Sequence, residues 1–342
     1  MFSIENVYFK TISLCIMKYK KIFAMALMLS AATMMSCGGG SGSGEQNNTN
    51  TDEPIQYNPE AETKLDYSKY GLDEAFINKY KAVSIGDVGE MIQSFPSPVE
   101  VSAIIQDMKV PYTPKYLFNA DYADNFETSF KKALGLGVYC ADLGYLNVYN
   151  KTSDVIQYLV AIRKLSEQLQ IGQFFDFAAL KRIATSSNNL DSLLITSVQS
   201  YFQMDAYLRQ NDRSNISALL VTGVWVESLY LACEVYSIKD NKRMKEHIAS
   251  QKNILTDLMA ILIKFMGNDP EYAKMVAGLK DLTTVFEPVK IESFDGEDKT
   301  EIVDGQQLTT QGAYTQITVT DEQMADIVKA VEAFRTNIAN SL

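Results

Sequence analysis

Histidine is nearly missing from this chain: His247 stands alone among 342 residues. A carboxylate di-metal bundle needs Glu-x-x-His on two helices, so that centre is excluded, and neither a metal nor a cofactor is expected. A Ser–His–Asp arrangement would hang on the same residue, which lies in the charged run Lys242-Arg-Met-Lys-Glu-His247 and reads as part of a solvated face. Cysteine is scarce as well (Cys15, Cys37, Cys140 and Cys233), which excludes a disulfide scaffold. With 8 prolines and 18 glycines, a collagen-like or wholly low-complexity chain is ruled out. Basic charge is in deficit, 31 Lys and Arg against 42 Asp and Glu. Such a balance offers no electrostatic grip on nucleic acid or on an anionic lipid surface.

What is present begins with an address. Lys18-Tyr-Lys-Lys21 precedes an apolar run, Ile22–Met35, and then Ser36-Cys37. A basic n-region, a short apolar h-region and a small residue at its end make a secretory signal, with Met17 its natural start. The run is short for a bilayer span. Met34-Met35-Ser36-Cys37 resembles the lipobox of bacterial lipoproteins, with Met34 where leucine is usual. The resemblance implies removal of residues 1–36, lipidation of the Cys37 thiol and anchorage in a membrane leaflet, the outer membrane being favoured. Several acyl chains, at roughly 0.8 kcal/mol per buried methylene, would make that anchorage permanent. The leader holds four lysines and one glutamate, so what remains carries 27 bases and 41 acids, net −14.

Residues 37–66 read as a flexible tether: after Cys37 come Gly-Gly-Gly-Ser-Gly-Ser-Gly and then Asn, Thr and acids to Glu53, with nothing apolar in that stretch to fold around. Their r.m.s. span is roughly 30 Å, enough to let the body work off the membrane surface. No strand precedes the glycines and no Gly-Lys-Ser/Thr follows, so they are not a phosphate loop.

From residue 67 to 342 the dominant period is 3.6. Val155, Leu159, Ile162, Leu165 and Leu169 form one stripe; Leu194, Val198, Tyr201 and Leu208 another; Ile254, Leu258, Ile261, Leu262 and Phe265 a third. Met324, Ile327, Val331, Phe334 and Ile338 close the chain. Ser97-Pro98-Val-Glu100 and Thr320-Asp-Glu-Gln323 read as capping boxes, Asp269-Pro270 as a helix start, Gly172 and Gly267 as helix stops. The fold class is all-α: nine to eleven helices in a bundle or short superhelix. A loop or small β-hairpin is expected over about 286–319, from its Thr, Gln and Gly content and Asp-Gly steps. The acids there (Asp295, Glu297, Asp298, Glu301, Asp304) do not follow EF-hand spacing and read as solvated.

The helices 133–149 and 216–233 carry the only candidate site. Each is apolar nearly all round, and each holds one ionisable acid, Asp142 and Glu227. Burying an unpaired carboxylate costs several kcal/mol, so both acids need partners. On the first helix Val138, Asp142, Tyr145 and Tyr149 share a face, so a tyrosine hydroxyl is a natural donor to Asp142. Gly137, Ala141 and Gly144 share another and leave room for a close helix crossing. Asp142, Glu227, Tyr139, Tyr145 and Trp225 could line a ligand pocket; the plainer reading is a satisfied structural network. Gly137-Val-Tyr139 also echoes Gly223-Val-Trp225, and an internal duplication would explain it. Cys140 and Cys233, one on each helix, are either a disulfide or, more plainly, buried thiols. No Gly-x-Ser-x-Gly occurs, and Ser129-Phe-Lys-Lys132 has the Ser-x-x-Lys of penicillin-recognising enzymes without their companion motifs.

With its lipobox and helical body the chain resembles the uncharacterised helical lipoproteins of bacterial cell envelopes, which lend it no active site. The expectation is a tethered, non-enzymatic binding or assembly module that presents a helical surface to an envelope protein or small ligand. The alternatives are an enzyme or ligand carrier using the acid pocket, and a plain structural spacer.

Overall fold

A computed structural model describes residues 65–82, 98–184, 190–296, 299–303, 306–310 and 314–342. The leader, Cys37, the tether to residue 64, Ser97 of the first capping box and the loop acids Glu297, Asp298 and Asp304 lie outside them, as do the side chains of Leu194 and Val198. Among the described residues there are ten α-helices and four short strands. The helices are α1 Glu74–Lys81, α2 Pro98–Met108, α3 Ser129–Val148, α4 Thr152–Gln168, α5 Phe177–Ala184, α6 Leu190–Gln210, α7 Ser214–Ile238, α8 Lys242–Met266, α9 Pro270–Phe286 and α10 Asp321–Ser341. The all-α reading holds, with the hairpin where the sequence placed it.

The central pair is α3 and α7. Both are apolar on almost every side because neighbours cover every side: α4 and α2 lie on α3, while α8 and α10 lie on α7. α7 is long and apolar enough to cross a membrane, but 89% of its most apolar stretch is buried within the body, as befits a core helix. The two axes cross where Gly137 meets Gly223. A Cβ at Gly137 would collide with Leu220 O and lie 2.7 Å from Val224 N; one at Gly223 would collide with Leu134 O. The Gly-Val-aromatic echo therefore marks two halves of one contact: each helix needs a missing side chain at the same point. At Gly144 a Cβ would meet nothing within 4 Å, so this glycine plays no part in the crossing.

The predicted stripes of α4, α8 and α10 face this core, Phe265 at its margin. Thr320 and Gln323 close the capping box of α10 in both directions, and Asp269 caps α9 ahead of Pro270. Gly172 is not the stop of α4. The left-handed position there belongs to Gln170 (φ 56°), and Gly172 opens a short 3-10 turn instead. Cationic side chains close other helix ends, where carbonyls lack partners. Lys239 donates to Met108 O, Arg213 to Leu169 O, and Lys252 to Glu287 O and Val289 O.

After α9, β1 (Lys290–Phe294) pairs antiparallel with β4 (Tyr314–Thr318), and β2 (Lys299–Val303) with β3 (Gln306–Thr310). The second ladder is nested between the strands of the first. Ile291 and Ile317 are opposite each other and half-buried, while Phe294 stacks on Tyr314 on the exposed side.

Candidate functional site

Between α2 and α3 the chain has no long helix. Residues 109–128 run as a strap of extended pieces and two 3-10 turns, Pro114–Tyr116 and Ala120–Asp124. Such a segment leaves backbone groups that neither helix nor sheet satisfies, and burial makes each unmet one costly. Side chains from two helices meet them. Asp142 Oδ2 accepts from Phe118 N at 3.1 Å, Tyr158 OH donates to Phe118 O at 2.9 Å and Tyr139 OH to Asn119 O at 2.9 Å. Tyr145 OH accepts from Thr113 N at 3.3 Å. Phe118, Phe126 and Tyr139 pack ring on ring beneath the strap, and Gly135 makes room for the Phe126 ring.

Asp142 thus has a donor, but not the tyrosine expected from its helix face. Tyr139 and Tyr145 serve the strap instead, because its irregular backbone presents groups that its own chain does not satisfy. The second oxygen of Asp142, Oδ1, has no donor, and the Glu227 carboxyl is close enough to form a carboxyl–carboxyl hydrogen bond when one of the two is protonated. The residues stand at different distances from their glycines, yet the crossing brings them together. Their roles differ: Asp142 holds the strap, and Glu227 holds α10. Arg335 from α10 donates Nε to Glu227 Oε2 at 3.0 Å and Nη2 to Oε1 at 2.8 Å, a bidentate fork. The same Nη2 reaches Tyr116 O at 3.3 Å, and the guanidinium lies 4.6 Å from the centre of the Tyr230 ring.

Asp142 is 0% exposed and Glu227 1%. Burial first, and the Glu227 carboxylate second, hold the Asp142 carboxyl well above the usual carboxylate range, against the pull of Arg335 and Phe118 N. Burial raises Glu227 too, but Arg335 opposes it directly. A proton kept on Asp142 would be donated to the carboxylate that Arg335 grips, and would leave one negative and one positive charge in the cluster. The cluster is then neutral as a whole.

Of the five residues read as a pocket, three converge here: Asp142, Glu227 and Tyr139. Tyr145 lies further along α3, against Tyr112 and Tyr149. Trp225 points the other way and donates Nε1 to Gln251 Oε1 on α8 at 3.0 Å. Arg335 escaped the sequence reading. It sits on the shoulder of the α10 stripe, next to Phe334, and two acids short of a cation were the signal that could have found it. A second buried network was missed entirely: Asp205 on α6, 0% exposed, accepts from Ser217 Oγ at 2.6 Å, with Tyr201 and Arg209 beside it. His247 is a correction. It is 9% exposed rather than solvated, because the apolar stripe of α8 continues past it, and burial lowers its pKa to about 4. Cys140 and Cys233 are free thiols, both pushed up by burial, Cys140 to about 12. Among the described residues no cluster of three or more His, Cys, Asp or Glu could hold a metal ion. Comparison with known proteins finds no family model, no curated protein and no solved structure that matches this chain.

Proposed function

We propose that this protein is a lipid-anchored envelope protein, tethered through Cys37, whose helical body is a non-enzymatic binding or assembly module for another envelope component. The observation that carries the non-enzymatic half is the closure of the acid cluster. Asp142 and Glu227, the acids the sequence singles out, are sealed at 0% and 1% exposure, and both are occupied with holding the strap and α10. Acid–base catalysis needs such a group within hydrogen-bond reach of a substrate. A carrier would need the same acids to open on a cavity. What supports the anchor is the order basic run, apolar run, Ser36-Cys37, glycine-rich tether.

The test has two parts. Cells expressing the full chain are fed a clickable fatty acid; the expected result is label and membrane fractionation for the native chain and neither for Cys37→Ala. The purified protein is then assayed on a broad hydrolase panel beside Asp142→Asn and Glu227→Gln. Turnover that either substitution removes would overturn the non-enzymatic reading, and an unlabelled native chain would overturn the anchor.

A further inference from the structure

We propose that Asp142, Glu227 and Arg335 form a one-proton latch: two buried carboxyls share one guanidinium and one proton, and loss of that proton releases α10 together with the strap. Arg335 is the one cation acting on either acid among the described residues. With Asp142 protonated the cluster balances, and the Asp142 hydroxyl has the Glu227 carboxylate to donate to. With both acids ionised, a second negative charge lies in a sealed space, and the two carboxylates face each other with no donor between them.

The surroundings offer the extra charge no relief. On its own helix Asp142 is flanked by Tyr139 and Cys140; from α4 comes Tyr158, from the strap Tyr112, and from α7 Tyr230 beside Glu227, and the electrostatic effect of the acids on each tyrosine and on the thiol is to keep it protonated. Further out, Glu234 and Glu332 add like charge near Tyr230, and Lys115 acts on Glu234. The structure must therefore open, and it has one natural place to do so. Arg335 is the polar tie of α10 into the core; the rest of its hold is the stripe Met324, Ile327, Val331, Phe334 and Ile338 and an exposed pair between its Asp321 and Lys245 of α8. The strap depends on the same cluster through Phe118 N and Tyr116 O. Opening α10 would carry Arg335 out, hydrate the acids and uncover the ring of Tyr230. Elements held by few buried polar ties are the ones that open locally. The latch does not depend on acylation of Cys37, so it can fail without that reading and survive its failure.

Hydrogen exchange on the full chain in detergent, followed by mass spectrometry at pH 6, 8 and 10 and corrected for intrinsic rates, reads the latch segment by segment. Protection of residues 321–341 and 111–126 is expected to fall at least tenfold across that range, while α8 stays protected. Asp142→Asn keeps a donor toward Glu227 and an acceptor for Phe118 N, so it is expected to fold and to abolish the pH-dependent loss. Glu227→Gln leaves one carboxyl for one guanidinium and should flatten the profile too. An equal loss of protection in the native chain and in the Asp142→Asn variant overturns the proposal. So does a flat native profile, or an Asp142→Asn chain that does not fold at pH 7.

Discussion

Two glycines seven residues apart on one helix should respond to the same substitution with opposite signs. At Gly137 a Cβ would run into the carbonyl oxygen of Leu220 and lie 2.7 Å from Val224 N and 2.9 Å from Gly223 Cα. Those obstacles are backbone, so no rotamer change clears them, and α3 and α7 would have to part by about an ångström along their whole contact. Overpacking costs about 1–3 kcal/mol and occasionally more. The helix-propensity gain of alanine over glycine, about 1 kcal/mol, works against that cost. Because the crossing is the centre of the body, we expect the upper end of that cost, a net loss of about 2 kcal/mol for Gly137→Ala. At about 2–4 °C per kcal/mol, Tm falls by about 4–8 °C. Gly144 lies two turns on with nothing near a new Cβ, so Gly144→Ala keeps only the propensity gain and should raise Tm by about 2 °C. Thermal unfolding followed by far-UV circular dichroism on both full-length variants decides it. Equal shifts for the two, or a stabilised Gly137→Ala chain, would show that the crossing is not the close contact described.

Arg335→Leu removes the counterion of Glu227 and should cost about 3–5 kcal/mol by denaturant titration, whereas an exposed control such as Lys329→Leu should stay within about 0.5 kcal/mol. His247 is neutral in the fold, with its pKa lowered from 6.5 to about 4 by burial, so between those values the unfolded chain binds the extra proton. Stability is then full above pH 6.5 and falls by about 3 kcal/mol as pH drops to 4; His247→Gln should remove most of that slope in urea melts. Tyr158→Phe deletes the donor to Phe118 O inside the core and is expected to lower stability by about 1–2 kcal/mol, with protease nicking newly directed to the strap.

The elements legible beforehand were those whose cause is local. The stripe Met324–Ile338 and the capping pair Thr320 and Gln323 lie within one turn or one helix, and they describe α10 almost to the residue. The requirement that Asp142 and Glu227 have partners was legible too, since it follows from burial alone. Who the partners are was not. Phe118 offers a backbone N–H, which no side-chain pattern announces, and Arg335 is 108 residues from Glu227. His247 misled for the converse reason: Lys242, Arg243, Lys245 and Glu246 surround it in sequence, yet on a helix it falls on the buried side with Met244, Ile248 and Gln251. The echo around Gly137 and Gly223 was visible as a pattern, but whether it meant ancestry or contact needed the two helices side by side.

The strap explains why a core otherwise built of Leu, Ile, Val and Tyr tolerates two acids. A helix in place of residues 109–128 would have met its own backbone groups and needed no carboxylate beneath it. Once the chain crosses the bundle without regular structure, Phe118 N must find an acceptor in a buried place, and Asp142 supplies one. Burial favours the protonated form of Asp142, and a protonated Asp142 needs an acceptor of its own. Glu227 is that acceptor, and as the ionised member it in turn demands a cation, which α10 brings. Each polar residue answers a need created by the one before it, from the irregular backbone outward to the last helix. The hydrogen-bonding capacity of these acids is taken up by that sequence of needs.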